Sequence, residues 1–354
     1  MEAGGAERAL AEMANYWDER GWQVGVATWA GPGSRDFYRL NSGVERIWLN
    51  LARPARSAPG KLLAHVRRVL KLRALLTARR PAAVLSFIDV SNVMTLLACV
   101  RLPVRVVVSE RIDGSRQQTI PWPWRFLRRI TYHRADAVVA QTPGAARWVR
   151  EWCNSVVVVI PNALRQLPDT VNEREHMILA VGRLTRQKGF DILLQAFASV
   201  HREFPDWRAV IIGEGPERAS LLDLCGKLGL SDRIEWRTPQ KDVEGWMGRA
   251  GLVVQPSRYE GFPNVVLEAM GMGAPVIAAD CASGPAELIR DGVNGFLVPV
   301  EDVSTLARRM RELMSDESLR AQLGREAVRV RGRFAQDPIM REWERVIVGP
   351  VHAP

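Results

Sequence analysis

Short apolar runs alternate with segments of helical periodicity along most of this chain. In the second half, apolar runs at 177–183, 208–213 and 252–255 flank segments such as 190–200, whose apolar residues recur every three or four positions. Runs of the first kind are typical of buried strands, and the second pattern is typical of helices that pack on a sheet. The first half repeats the alternation. The pattern therefore predicts an α/β protein with parallel sheets covered on both faces.

The length of the chain and one polar segment indicate two domains. A chain of 354 residues can form two full cores. Residues 163–176 are polar and lack an apolar period, which is typical of a linker. We predict a first domain at 1–165, a second at 166–335, and a C-terminal helix or tail at 336–354 that packs back on the first domain.

The opening residues leave no room for a first strand. A helix is predicted from Ala6, and Gly4 and Gly5 come directly before it. In a doubly wound domain such a glycine loop follows a central strand and approaches a phosphate, although two glycines also occur in ordinary turns. We therefore expect the first strand of the N-terminal domain to be missing, with a matching strand encoded upstream of Met1. In the competing interpretation, another segment fills the central position.

The charge is concentrated in the first half. The chain carries a net charge of +10, with 49 Lys and Arg against 39 Asp and Glu. Residues 1–160 alone hold 24 basic and 12 acidic residues, whereas 161–354 hold 25 and 27. A basic half fits an anionic membrane surface or a phosphorylated acceptor, or it is simply a solvated face. No RNA- or DNA-binding motif is present, so we expect no nucleic-acid partner.

Two segments of the basic half mix arginines with large apolar side chains. These are the predicted helix at 61–80 and the Pro-Trp-Pro-Trp-Arg-Phe-Leu-Arg-Arg run at 121–129. Either could meet lipid headgroups or pack as an ordinary surface helix. The first residues lack a signal-peptide pattern, and the four cysteines are scattered without metal-site spacing. We expect a cytoplasmic protein, with peripheral contact at the inner face of the membrane as one interpretation.

The most informative stretch lies at 252–277. An apolar strand ends at Pro256, a loop carries Glu260, and Asn264 is a candidate N-cap for a helix over 265–270. Free N–H groups at a helix start favour an anion such as a phosphate. Glu260 and Glu268 could each accept two hydroxyl hydrogen bonds from a sugar or a ribose. Alone, the two glutamates would be a solvated loop charge and a helix-face residue.

A second strand end carries basic residues. Gly182 and Arg183 end the predicted strand at 177–183, and Lys188 precedes the next helix. An arginine can fork onto phosphate oxygens, and a lysine supplies a compact positive charge. The glycines at 213 and 215 are expected to permit close backbone approach.

These strings resemble the motifs of a known enzyme family. The run E-G-F-P-N-V-V-L-E-A-M resembles the glutamate–seven–glutamate motif of the retaining glycosyltransferases of family GT4, the glycosyl transferases group 1. The run from Gly182 to Gly189 resembles that family's phosphate-binding signature, and 280–287 is similar to its amylovoran-type subgroup. One departure occurs at 109–111, where Ser-Glu-Arg replaces a common Ser-x-His. The resemblance implies a GT-B fold, in which two Rossmann-like domains face a cleft.

The resemblance also implies a reaction and roles for individual residues. It implies transfer of a hexose or N-acetylhexosamine from a nucleotide sugar, expected to be UDP-linked, to a saccharide or lipid-linked saccharide. Glu260, Arg183 and Lys188 are the candidate catalytic residues. The candidate donor-binding residues are Gly4, Gly5, Gly182, Arg183, Lys188, Glu260, Gly261, Phe262, Pro263, Asn264, Val265 and Glu268.

The resemblance leaves rival functions open. We expect no metal and no cofactor, because no Asp-x-Asp occurs in the sequence and basic groups would take the place of a metal ion. A nucleotide-sugar epimerase on the same fold and a non-catalytic nucleotide-sugar-binding protein remain alternatives.

Overall fold

The computed structural model describes residues 4–34, 36–52, 57–111, 121–168, 173–240, 242–282 and 284–349. The chain forms two compact units. Unit 1 contains the described residues up to Pro161 and those from Asp337 onward, and unit 2 runs from Asn162 to Gln336. Among the described residues, no helix is both long and apolar enough to cross a membrane.

Unit 1 contains two parallel sheets flanked by helices. Its strands are β1 Gly25–Thr28, β2 Glu45–Trp48, β3 Ala83–Phe87, β4 Arg105–Glu110, β5 Ala137–Ala140 and β6 Val157–Val159. Its helices are α1 Gly5–Asp18, α2 Ala58–Arg79, α3 Asp89–Ala98, α4 Trp122–Thr131, α5 Pro143–Arg150 and the last helix of the chain, α14 Gln336–Val348. One sheet pairs β1 with β2, and the other has the order β3-β4-β5-β6.

The two sheets of unit 1 differ in how deeply they are buried. Val108 in β4 and Val138 in β5 are fully buried, because helices cover the middle of the larger sheet. In β1, only Val26 is buried while Gly25 and Ala27 are exposed. Within the described residues, no strand pairs with both β1 and β3. The doubly wound sheet of unit 1 is therefore interrupted at this point.

The C-terminal helix completes unit 1. The Tyr16 hydroxyl on α1 donates to Asp337 Oδ1 at 2.9 Å. The Trp343 ring lies 6.2 Å from the Phe87 ring, and Arg105 Nε donates to the Val346 carbonyl at 2.9 Å. The helix α14 thus connects the first helix and the larger sheet of the unit.

Unit 2 is a continuous doubly wound sheet. Its strands are β7 Glu175–Val181, β8 Arg208–Ile212, β9 Ile234–Arg237, β10 Ala250–Gln255, β11 Val276–Ala279 and β12 Phe296–Val298. Its helices are α6 Phe190–Val200, α7 Arg218–Lys227, α8 Val243–Arg249, α9 Asn264–Gly271, α10 Pro285–Leu288, α11 Val303–Ser315, α12 Glu317–Ala327 and α13 Val330–Arg333. The strand order is β12-β11-β10-β7-β8-β9, all parallel.

This order places the point where the winding reverses between β7 and β10. Leu179 of β7 pairs with Val253 of β10 on one side and Val210 of β8 on the other. In such sheets, ligands bind beyond the carboxyl ends of the strands at this switch point. The α/β prediction is confirmed. The helical segment near the end of unit 2 is divided into α12 and α13, which are separated by residues 328–329.

Candidate donor site

Two helices of unit 2 begin at the switch point of the sheet without a side-chain N-cap. The helix α6 begins after Gly189 and α9 begins after Pro263, and neither of these residues caps the helix through a side chain. By contrast, α8, α11 and α12 each begin behind an aspartate whose carboxylate accepts a backbone N–H. Uncapped N–H groups and the positive end of the helix dipole both favour an anion. The two helices that follow β7 and β10 therefore offer an anion site.

The predicted N-cap role of Asn264 is wrong. Asn264 is the first residue of α9, and its N-cap is Pro263. The Asn264 side chain accepts a hydrogen bond at 2.7 Å from Asn162 Nδ2, so it does not satisfy the N–H groups of its own helix. The Asn264 N–H donates to the Phe262 carbonyl at 3.0 Å, so the anion hypothesis depends on the next N–H groups of α9.

A lysine–glutamate pair connects the two strand ends. Lys188 Nζ lies 2.7 Å from Glu260 Oε1, and the two side chains are only 18% and 6% exposed. Gln255, the last residue of β10, donates to the same Glu260 oxygen at 2.8 Å and to Ser257 Oγ at 2.7 Å. The structure thus brings together a cation and a carboxylate that are far apart in sequence. Charged groups held this far from water interact strongly with an incoming charged ligand.

Close backbone packing shapes the loop that carries Lys188. Gly189 has a φ of 67°, and a Cβ there would lie 2.1 Å from the Pro256 carbonyl oxygen. A Cβ on Gly213 would lie 1.9 Å from the Gly182 carbonyl oxygen, and one on Gly215 would lie 2.3 Å from that of Leu184. Only glycine allows these approaches. This agrees with the expected role of the glycines at 213 and 215.

The remaining predicted donor residues differ in their exposure and in the element that carries them. Arg183 follows β7 and is exposed, whereas Glu268 is buried within α9. The Phe262 ring packs 5.8 Å from Phe334, and Pro263 packs against Gly284, where a Cβ would lie 2.7 Å from its Cδ. Gly261 lies in the same loop, and Val265 lies in the first turn of α9. The loop beside Glu260 is therefore held by packing.

Two predicted positions lie in unit 1. Gly4 is the N-cap of α1 and Gly5 is its first residue. A Cβ on Gly4 would lie 2.2 Å from the end of the Glu7 side chain, a flexible group that can move. Gly4 shows no close backbone contact of the kind seen in unit 2. The phosphate role of Gly4 and Gly5 stays a prediction.

Sequence reasoning missed one residue that organises the site. Arg258 donates from Nη1 and Nη2 to the two oxygens of Asp191 at 2.9 and 2.7 Å, from Nη1 to the Arg186 carbonyl at 2.7 Å, and from Nε to Glu301 at 2.5 Å. Its backbone N–H donates to the Gln187 carbonyl at 2.8 Å. Burial alone would raise the pKa of Asp191, but the hydrogen bonds from Arg258 outweigh it, so that pKa is lowered.

Arg258 therefore fastens the loop after β10 to the loop after β7. The sequence signal that could have identified Arg258 is its position two residues before Glu260, within the stretch at 252–277. A cavity of about 310 Å³ lies beside the Arg258–Asp191 pair and is also lined by residues of α6 and α7, but not by Lys188 or Glu260. We keep the anion hypothesis at the uncapped helix starts, because Arg258 Nη2 and Asp191 Oδ2 in this cavity already pair with each other at 2.7 Å.

The Ser-Glu-Arg segment of unit 1 forms a buried polar cluster at the end of β4. Tyr132 donates to Glu110 Oε1 at 2.5 Å, and Arg128 Nη1 lies 3.6 Å from Asp89 Oδ1 and 3.9 Å from Glu110 Oε1. Burial, reinforced by the nearby Asp89 charge, raises the pKa of Glu110 to about 8. The Arg111 guanidinium stacks 4.0 Å from the Phe87 ring centre. Position 111, where the family resemblance leads us to expect histidine, thus holds a stacked arginine.

Both halves of the chain match family models. Residues 3–165 match the model described as Glycosyltransferase Family 4, and residues 167–330 match Glycosyl transferases group 1. The amylovoran biosynthesis glycosyltransferase AmsD of Erwinia amylovora is 32% identical over 52% of this chain and 52% of its own length. An exopolysaccharide phosphotransferase of Streptomyces coelicolor is 37% identical over 60% of this chain but only 23% of its own length. The chain thus spans about half or less of these two relatives.

One relative and two solved structures match over nearly the full length. An undecaprenol-linked-glycan α-1,4-N-acetyl-D-galactosaminyltransferase of Campylobacter jejuni is 25% identical over 98% of this chain and 96% of its own. Sucrose-phosphate synthase from Thermosynechococcus elongatus superposes with a TM-score of 0.84 at 20% identity, over 97% of this chain and 93% of that one. The Anabaena protein HepE in complex with UDP and glucose gives a TM-score of 0.78 at 21% identity, over 97% and 95%.

These structural likenesses show a GT-B fold, and the two Rossmann-like units agree with it. The expected fold is therefore confirmed. Together with the two family models, which cover residues 3–165 and 167–330, they lead to one conclusion: the chain belongs to the group 1 glycosyltransferases of family GT4.

Proposed function

We propose that this protein transfers a hexose or N-acetylhexosamine from a nucleotide sugar, preferably UDP-linked, to a saccharide acceptor, with the donor bound on unit 2. The observation that carries the proposal is the pair of uncapped helix starts at the switch point, beside the Lys188–Glu260 pair. The named complex of HepE with UDP and glucose supports the choice of donor class.

Each residue has a proposed role in this reaction. Lys188 and Arg183 neutralise the donor diphosphate, together with the N–H groups at the starts of α6 and α9. Glu260 orients the sugar hydroxyls and Glu268 holds the ribose. The loop from Gly261 to Val265 supports the sugar from below. Lys188 and Glu260 bind each other in the free protein, so donor binding exchanges this contact for contacts with the ligand.

The proposed transfer needs no reactant other than the nucleotide sugar and the acceptor. The bond between the anomeric carbon and the leaving phosphate oxygen breaks, and a bond from that carbon to the acceptor oxygen forms on the same face of the sugar. The acceptor hydroxyl proton passes to the leaving phosphate. Basic groups at the diphosphate stabilise the charge that develops there, which is where electrostatic catalysis acts most strongly.

The acceptor proposal is a saccharide or a lipid-linked saccharide. Its support is the Campylobacter relative, whose name places its acceptor glycan on undecaprenol. A lipid-linked acceptor would bring the protein to the cytoplasmic membrane face, where the excess of basic residues in the first half suits anionic lipid. We propose no nucleic-acid partner.

The decisive experiment combines binding with turnover. Full-length protein is screened against UDP-, GDP- and ADP-sugars by thermal shift, since a ligand at about 100 times its Kd adds about 2.7 kcal/mol of apparent stability. The stabilising donor is then incubated with saccharide acceptors and nucleotide release is followed. Release that depends on acceptor, and is lost in Lys188→Met but kept in Lys227→Met, supports transfer.

Other results would favour the rival functions. Lys227 is a matched control because it lies in unit 2, is exposed and pairs with Asp223. Conversion of the sugar without nucleotide release would indicate an epimerase. Donor binding with no chemistry across the acceptor panel would support a nucleotide-sugar-binding protein. Failure of every nucleotide sugar to stabilise the protein would refute the donor site.

A further inference from the structure

The outward face of α4 carries large apolar side chains. Trp122, Phe126 and Ile130 follow one another at intervals of four residues and are 73%, 53% and 50% exposed. The Trp122 and Phe126 rings stack on each other at 6.0 Å. Arg125 and Arg129 are exposed beside them. A helix of a folded domain normally turns such a stripe towards the core.

The helix α2 has an outward face of the same kind. Its exposed apolar residues are Leu62 at 68%, Leu63 at 49%, Val66 at 46% and Leu70 at 59%. Lys61, Arg67 and Lys71 are exposed around them. The core contacts of α2 come from other positions, because Leu72 and Leu76 are buried. The large apolar side chains of this helix are therefore divided between the core and the surface.

The two faces belong to neighbouring helices of unit 1. Both helices pack on α3. The His65 ring of α2 also meets the Trp124 ring of α4 edge-on at 4.7 Å. We call the seven exposed apolar residues and five exposed basic residues of these two faces the α2–α4 surface. Neither helix contains an acidic residue.

We propose that the α2–α4 surface binds the headgroup region of an anionic lipid bilayer. Basic side chains that surround apolar ones suit a helix lying in the membrane interface, and tryptophan favours that depth. Charge complementarity selects this partner over a second copy of the chain, because two such surfaces would oppose five cations to five cations. The proposal goes beyond sugar transfer, and its test does not depend on turnover.

Binding to the bilayer has two separable components. The cations attract the negative surface potential of anionic lipid, and salt screens this attraction over about 8 Å at physiological ionic strength. Trp122, Phe126 and the α2 leucines enter the acyl boundary, and salt weakens this part little. We therefore expect salt to change mainly the rate of association with the bilayer, and the apolar residues to determine the rate of dissociation.

The test is sedimentation with vesicles of phosphatidylcholine, with or without phosphatidylglycerol. Full-length protein is compared with two double variants, Trp122→Ser/Phe126→Ser and Leu62→Ser/Leu70→Ser. The matched control is Leu222→Ser, because Leu222 is an exposed leucine of unit 2. We expect wild type to bind the anionic vesicles at least about tenfold more tightly than neutral ones. Each double variant should lose at least about tenfold in affinity, given the apolar area removed. Leu222→Ser should bind like wild type.

Three results would overturn the proposal. These are absence of wild-type binding to phosphatidylglycerol vesicles, wild-type binding by both double variants, and a lipid-free dimer that the double variants abolish. The α2 and α4 variants carry the test independently if one of them folds poorly. Thermal unfolding of every variant distinguishes lost lipid binding from lost folding.

Discussion

Replacement of Lys188 by methionine tests how the two strand ends of unit 2 are coupled. The change keeps much of the apolar stem of Lys188 and removes the ammonium that lies 2.7 Å from Glu260 Oε1. The Glu260 carboxylate, 6% exposed, would keep the hydrogen bond from Gln255 but lose its charged partner. A hydrogen bond to a charged group contributes about 1.5–3 kcal/mol, and a fully buried charge left alone costs more. Because Lys188 itself is partly exposed, we expect Lys188→Met to lower the free energy of unfolding by about 1.5–3 kcal/mol.

Calorimetry of full-length protein measures this loss. For a unit of this size, each kcal/mol shifts Tm by about 2–4 °C. Lys227→Met is the matched control, since the Lys227–Asp223 pair has the same 2.7 Å separation but side chains that are 71% and 64% exposed. An exposed pair of this kind contributes at most about 1 kcal/mol, so its Tm should change much less.

A double-mutant cycle identifies the interaction itself. Lys188→Met, Glu260→Gln and the double variant are compared with wild type. Since the two side chains touch, we expect a coupling energy of about 1–2 kcal/mol, with the double variant more stable than the sum of the single losses predicts. Additive losses, or equal Tm values for Lys188→Met and Lys227→Met, would refute the reasoning.

Three further changes test the site and the buried cluster. Glu260→Gln releases Lys188 for the diphosphate, so calorimetric titration should show UDP binding at least as tight as wild type while sugar transfer falls about 10²-fold or more; weaker UDP binding would contradict this. Glu268→Gln should instead weaken UDP binding about tenfold, as expected for loss of a charge-assisted hydrogen bond to ribose, and an unchanged Kd would exclude the ribose role. Glu110 holds its proton more tightly in the folded protein, with a pKa raised by burial from 4.5 to about 8. Between pH 4.5 and pH 8 the folded state therefore keeps a proton that the unfolded state has lost. The stability contributed by Glu110 is full below about pH 4.5 and falls as pH rises towards 8, by up to about 1.4 kcal/mol per pH unit. Urea unfolding of Glu110→Gln should lack that slope, and an identical slope would show that Glu110 titrates normally.

The topology of unit 2 was predictable because its signals are local. The run from Met177 begins as an apolar strand and ends at glycine, and the same sequence of signals recurs through the unit. The contact between Lys188 and Glu260 was not predictable as a distance. It follows only once β7 and β10 are known to be neighbours, which depends on the winding of the whole sheet.

Side-chain competition explains what the sequence did not reveal. Asn264 has the usual chemistry of an N-cap, but Asn162 engages its side chain and the helix starts one residue earlier than expected. Leu62 and Leu70 fit a core stripe as well as Leu72 and Leu76 do. Periodicity alone cannot tell which face of α2 the sheet covers, because arginine stems and leucines pack on either side.

The interrupted sheet of unit 1 has a consequence for its local dynamics. Within the described chain, β1 pairs only with β2 and β3 pairs only with β4, so each has an outer edge with no ladder partner in the structure. Strand edges open at lower free energy than strand centres, and they can accept an extended segment from another molecule. Amide protons of β1 and β3 should therefore exchange with solvent well before those of β4 and β5. These same edges are where concentrated protein is expected to begin intermolecular strand pairing.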